Sequence, residues 1–161
     1  MPQLSILATL AGEDRIISDD GALPWRIAED DKYFTSIIKN QTVIAGRKMF
    51  ESNARDISKA RNRIVLTKNV GFSHQGITTA YSPEDALQKA QDYGALEVFI
   101  IGGGEIFKTF LPRASTLYLT VIDRDIQGDM TFPGCSGFKV ESEEEKRIGR
   151  NVLTFIELKR G

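Results

Sequence analysis

Val98-Phe99-Ile100-Ile101 is a wholly apolar run that leads straight into Gly102-Gly103-Gly104, and no other feature limits the fold so sharply. A strand with no polar alternation has no face to offer water, so it must be covered on both sides. Other short apolar runs share this character. Leu4 to Leu10 reads as a buried strand. Thr42 to Ala45, Arg63 to Thr67, Leu117 to Ile122 and a weaker Ile77 to Ala80 read as further strands.

Helical segments alternate with them. Tyr33, Phe34, Ile37 and Ile38 have the spacing of one helical face in a helix over 30–38. Arg47 to Ser52 reads as a short helix. Ser82-Pro83-Glu84-Asp85 starts another, with serine as cap, proline first and acids in the first turn. Ile106, Phe107, Phe110 and Leu111 continue the pattern until Pro112. Alternation of strand and helix predicts an α/β fold, largely parallel, with helices on both faces. The last strands, Val140 to Glu143 and Val152 to Leu158, lack a helix between them and should form an antiparallel edge. The acidic stretch Glu141 to Glu145 reads as a solvated loop or strand end.

At 161 residues the chain suits one domain, 1–161. Its net charge of −1 argues against a nucleic-acid or anionic-membrane partner. No apolar run approaches the roughly 20 residues of a membrane span. Glu13 and Asp14 follow the first apolar stretch closely, and no basic region precedes it, unlike a signal peptide. Cys135 is alone, which favours a reducing compartment, here the cytoplasm. His74 has no second histidine to form a metal site with, so no metal is expected.

Three places could carry chemistry. Gly102-Gly103-Gly104 is either a tight strand-to-helix turn or a main-chain cradle for phosphate. Gly46-Arg47-Lys48 puts two cations at a helix start, where they oppose the helix dipole unless an anion binds there; Thr67-Lys68 adds a hydroxyl and a third cation. Solvated surface cations are the alternative. Two phosphate places on one sheet edge would suit a dinucleotide with an extra phosphate. Asp30 shares a helical face with Phe34, four residues on, and is either an ordinary first-turn acid or a carboxylate drawn into a cavity. Asp31 also neighbours Phe34.

These pieces, in this order, resemble a bacterial-type dihydrofolate reductase along nearly the whole chain. The matching residues are Ser5 to Ala11, Asp14 to Ile17, Leu23-Pro24-Trp25, Asp30 with Phe34, and Val43 to Arg47. Phe50-Glu51-Ser52, Arg61 before Ile64 to Thr67, Ile101 to Phe107, Leu117 to Thr120, Gly128-Asp129 and Phe132-Pro133 complete the set. The resemblance implies a mostly parallel eight-stranded sheet with an antiparallel C-terminal edge and helices on both faces. It implies a monomer that reduces dihydrofolate with NADPH and binds folate analogues such as diaminopyrimidines and methotrexate.

It also implies roles. Asp30 would hold the pterin's amidine-like edge and help deliver a proton to N5, with Trp25 as the second catalytic residue. Leu7, Ala8, Asp31, Phe34, Asn53, Ile57, Ile101 and Thr120 would line the substrate site, and Arg61 would hold the glutamate tail. Arg47, Thr67 and Lys68 would hold the 2′-phosphate. Thr9, Ile17, Leu23, Gly46, Lys48, Met49, Leu66, Gly102, Gly103, Gly104, Glu105, Ile106 and Phe107 would complete the cofactor site, with a cis bond between the first two glycines of the triplet. Ile17 to Trp25 would be a closing loop.

Some positions depart from the family pattern. Asp31 and Asn53 stand where apolar wall residues are usual, Ser18 replaces a loop glycine, Phe107 replaces a common tyrosine and Ala28 a frequent proline. The Gly12-Glu13 region is one residue longer. Weaker binding of diaminopyrimidines is the expectation, with Asp31→Leu and Asn53→Ile restoring it. Two other readings are a pteridine- or riboflavin-pathway reductase of the same fold and a non-catalytic NADPH- or nucleic-acid-binding module; Arg61 and the Trp25–Asp30 pairing favour folate.

Overall fold

The computed structural model describes residues 2–18, 25, 27–52, 55–128 and 130–161, with Ser18 described in its main chain only. Leu23, Asn53 and most of the expected closing loop therefore lie outside the described residues. The first half of the chain forms β1 (Gln3–Ala11), β2 (Ile16–Ser18), α1 (Ala28–Ile38), β3 (Thr42–Gly46), α2 (Arg47–Ser52), β4 (Asn62–Leu66) and β5 (Thr78–Ala80). The second half forms α3 (Pro83–Asp92), β6 (Glu97–Ile100), α4 (Gly104–Phe110), a 3-10 turn over Leu111–Arg113, β7 (Thr116–Ile122), β8 (Met130–Thr131), β9 (Phe138–Ile148) and β10 (Asn151–Arg160).

The strands run in the order β5-β4-β3-β6-β1-β7-β10-β9. Neighbours are parallel from β5 through β7, and β10 and β9 add antiparallel pairs. This path has the eight strands expected. The short β2 and β8 pair with each other, and β2 also joins the end of β1, so the whole sheet is ten-stranded. Strands of two and three residues carry too little periodicity to register firmly in the sequence: β5 registers weakly, and β2 and β8 do not.

Period-two alternation along β1 sorts the core. Leu4, Ile6, Ala8 and Leu10 pack with Ala86, Leu87 and Ala90 of α3 and with Phe107 and Phe110 of α4. Leu7 faces the other way, with Phe34 and Ile38 of α1, Val43, Ala45, Ile57, Phe99 and Ile101. In α1 the buried residues are Asp30, Phe34 and Ile38, one stripe at a spacing of four. One member of that stripe is an acid. In α3 the Ser82 hydroxyl accepts from the Asp85 N–H at 3.0 Å, the cap its sequence predicts.

The acidic stretch Glu141 to Glu145 corrects an expectation. It is neither loop nor strand end but the middle of β9, an eleven-residue edge strand with its central residues exposed on both faces. Without a buried face, an edge strand needs no apolar alternation, and like charges along it discourage pairing with another chain. Among the described residues no helix is long and apolar enough to cross a membrane.

Candidate active site

The first turn of α1 carries Glu29, Asp30 and Asp31, an arrangement the helix dipole favours. Successive helical residues point about 100° apart, so the three acids diverge. Glu29 turns outward to Lys146 at 3.3 Å and Lys32 at 3.6 Å. These lysines hold its carboxyl below the usual range, the hydrogen bond from Lys146 contributing most. Asp31 turns sideways, half-exposed. Asp30 points inward and is 1% exposed.

A buried carboxylate is costly unless it is paired and hydrogen-bonded. Asp30 has both kinds of partner. The Thr9 hydroxyl, projecting from β1, donates to its two oxygens at 2.9 and 3.0 Å. Nη2 of Arg55 donates to Oδ2 at 2.8 Å, and the same nitrogen donates to Thr9 Oγ1. Nη1 of Arg55 reaches Asp31 Oδ1 at 3.1 Å. The guanidinium lies over the Phe34 ring, with Cζ 4.6 Å from its centroid. Arg55 is thus a buried cation clamped between two acids, a hydroxyl and an aromatic face.

Arg55 was not legible as a site residue. It precedes an ordinary polar stretch, and nothing local marks an arginine as buried. Thr9, expected on the cofactor side, has its side chain on the acid cluster. Ala8 packs on the α3–α4 face, so only its main chain is left for a ligand on the α1 side. Thr120 on β7 is the register partner of Thr9, so the two side chains share a face. Its hydroxyl and Nε1 of Trp25 are buried and have no hydrogen-bond partner among the described residues. Trp25 itself packs with Ala11, Ile16, Ile27, Ile122 and Leu153, next to the start of α1.

Beside this cluster opens a cavity of about 840 Å³ between α1 and the segment after α2. Asp31, Phe34, Met49, Arg55 and Ile57 line it. Lys32, Lys39, Arg63 and His74 also line it. Phe34, Met49, Phe50 and Ile57 give it apolar surface beside the charged groups, a mixture that suits a small organic ligand, and the cations suit one with carboxylates. Arg61 is exposed at the start of β4 and its main-chain N–H donates to Gln41 O at 2.8 Å; Arg63, two residues on, lines the cavity, as Arg55 does. Arg63 lies close against Gly76, where a Cβ would fall 2.7 Å from its Nη2. Met49, expected at the cofactor, also lines this cavity.

On the sheet edge where β3 and β6 end, two glycine turns meet. The Gly46 N–H donates to Gly102 O at 2.7 Å. The Gly102–Gly103 peptide is cis, and Gly102 has φ of +117° with the Phe107 ring 3.2 Å from where a Cβ would stand. That position admits only glycine. A Cβ on Gly103 would meet nothing within 4 Å, so its main chain is open to close approach. Glu105 is exposed, Ile106 and Leu66 pack at the edge of the α3–α4 core, and Ile17 and Phe107 are within it. Arg47 pairs with Glu51 at 2.7 Å. Lys48 and Lys68 are exposed, whereas Thr67 is buried, its Oγ1 accepting from the Asn69 N–H.

The family model "Dihydrofolate reductase" matches residues 3–160. Curated relatives agree. The chain is 39% identical to a dihydrofolate reductase of Haemophilus influenzae over 74% of this chain and 72% of that one. It is 36% identical to dihydrofolate reductase type 3 of Salmonella typhimurium, over 81% and 78%, and 32% identical to HdrB of Haloferax volcanii, over 93% and 81%. Among solved structures, Enterococcus faecalis dihydrofolate reductase complexed with NADP(H) and RAB-propyl superposes with a TM-score of 0.89 at 25% identity. That match covers 99% of this chain and 96% of the other.

Proposed function

The chain belongs to the dihydrofolate reductase family, and from that premise we propose that the carboxylate of Asp30 anchors the reacting ring in its NADPH-dependent reduction of dihydrofolate. One observation carries the assignment. Asp30 is a buried acid with an apolar cluster of Leu7, Phe34, Ile57 and Ile101 nearby, and a cavity opens beside it. A carboxylate can hold a 2-amino-pyrimidine edge through two charge-assisted hydrogen bonds. Phe34 offers a face for the ring to stack on. Among the described residues, the Thr120 hydroxyl and the Trp25 N–H are the buried side-chain groups left for a ligand to satisfy.

The residues on the sheet edge fit the cofactor. The two tied glycine turns give main-chain access for a pyrophosphate, and Arg47, Lys48, Lys68 and Thr67 are the groups for a 2′-phosphate. NADPH, when bound, supplies the hydride. The protein orients the two rings and excludes water from the cleft. Asp30 also supports proton delivery to N5 of the substrate ring. The glutamate tail runs along the cavity, where Arg63, Lys39 and Lys32 meet its carboxylates and Arg61 stands alongside. The same site takes diaminopyrimidines and methotrexate through Asp30, and the protein acts as a cytoplasmic monomer.

The test is to follow NADPH oxidation with dihydrofolate in the native protein and in Asp30→Asn. Turnover that collapses in the variant supports the assignment. Equal turnover in both removes Asp30 from the chemistry.

A further inference from the structure

The guanidinium of Arg55 stands where a ligand of Asp30 would have to bind. It donates to Asp30 Oδ2 at 2.8 Å and to Thr9, and it stacks 4.6 Å above Phe34. A planar cation carrying N–H donors on adjacent nitrogens, hydrogen-bonded to a carboxylate and lying on an aromatic face, has the recognition chemistry of an amidine edge. We propose that Arg55 is a specificity-determining residue, an internal occupant of the ring site that every ligand of Asp30 must displace. The proposal rests on the assignment of Asp30 as the ring anchor.

The side chain also has somewhere to go. Its other terminal nitrogen already holds Asp31, whose side chain is 42% exposed while that of Arg55 is 4% exposed. Swinging outward exchanges a buried pair for one at the cavity wall without leaving the cation unpaired. Asp31 thereby acquires a function for its departure from the family pattern: it is the acceptor that retains Arg55 in the open position. Asp30, freed at the same moment, is left with the Thr9 hydroxyl and becomes available to the incoming ring.

A competitor of this kind lowers apparent affinity by the fraction of molecules in which it is displaced. The probe is a 2,4-diaminopyrimidine antifolate without a carboxylate tail, so that contacts of Arg55 with a tail do not enter. Its affinity and association rate are measured in the native protein, Arg55→Met and Arg55→Lys. Arg55→Met should bind at least about tenfold more tightly, as expected if a tenth or fewer of the native molecules are open. Its association rate should rise linearly with ligand concentration, whereas that of the native protein should level off at the rate of displacement. Arg55→Lys keeps the charge, loses the second donor nitrogen, and should lie between the two; it carries the test if Arg55→Met does not fold.

A second readout uses Arg55→Ala, in which low-millimolar guanidinium ion should compete with the diaminopyrimidine and should not do so in the native protein. Unchanged or weaker affinity in Arg55→Met and Arg55→Lys, with no competition by guanidinium, overturns the proposal. Dihydrofolate turnover and its loss in Asp30→Asn are measured on the same preparations. If those fail, the assignment of Asp30 is wrong; if they hold and the Arg55 variants bind no better, only the internal occupant is wrong.

Discussion

Two stretches of this chain are rich in acid and have opposite fates. Asp30 and Asp31 open α1, where one carboxylate is removed from water and a single arginine bridges both. Glu141 to Glu145 lie along β9, where water reaches them on both faces. The chemistry of the groups is the same, and the difference lies in the medium. In a low-dielectric site a lost partner leaves an uncompensated charge, while at a solvated edge water replaces the partner at once.

The contrast can be tested by replacing one group at a time. Asp30→Asn should have the largest effect, lowering kcat/KM for dihydrofolate by about 10²- to 10⁴-fold, the range for a lost acid–base group. Steady-state rates across substrate concentration check this. Arg55→Ala should come next, reducing the urea-unfolding free energy by about 3–5 kcal/mol through the stranded Asp30. Replacing both members, Asp30→Leu with Arg55→Met, should recover most of that stability, since a buried pair adds little net free energy over apolar residues. Failure of the double replacement to recover would mean that the cluster is held by more than the pair.

At the cavity wall, Arg63→Ala should raise KM for dihydrofolate about tenfold with kcat retained, as for a lost charge-assisted contact. Arg61→Ala should change it less; the reverse order would return the tail to Arg61. Tyr118 lies on the sheet between the two regions, its phenol pushed up to about 12, first by burial and then by Glu97 and Glu157. The fold therefore favours the neutral phenol, whereas the unfolded chain ionises near 10. Its contribution to stability is complete below pH 10 and lost as pH rises from there to about 12. Tyr118→Phe should flatten the alkaline end of the unfolding profile. Smallest of all, Glu144→Gln on β9 should move the unfolding free energy by no more than about 0.5 kcal/mol.

Sequence periodicity carried the elements that own their signals. Ser82 and Pro83 start α3 by local hydrogen bonding, and the apolar run at Val98 forces a doubly covered strand. Asp30 was legible because it shares a stripe with Phe34. Arg55 was not, because the partners that bury it come from β1 and α1, 46 and 24 residues away. Arg63 escaped notice for a similar reason, since only the packing of the chain brings it to the cavity. Glu141 to Glu145 misled because an edge strand without a buried face has no alternation to read. Asp31 could be flagged as anomalous from its position, but its function needed the arginine beside it.

The tie between Gly46 and Gly102 has a consequence for the order of events. It joins two turns through their main chains, so the two glycine turns proposed for the cofactor are held to each other before any ligand arrives. The substrate half must first eject a side chain. On that reading, displacement of Arg55 precedes the entry of the substrate ring, and dihydrofolate enters at the pace that the displacement sets.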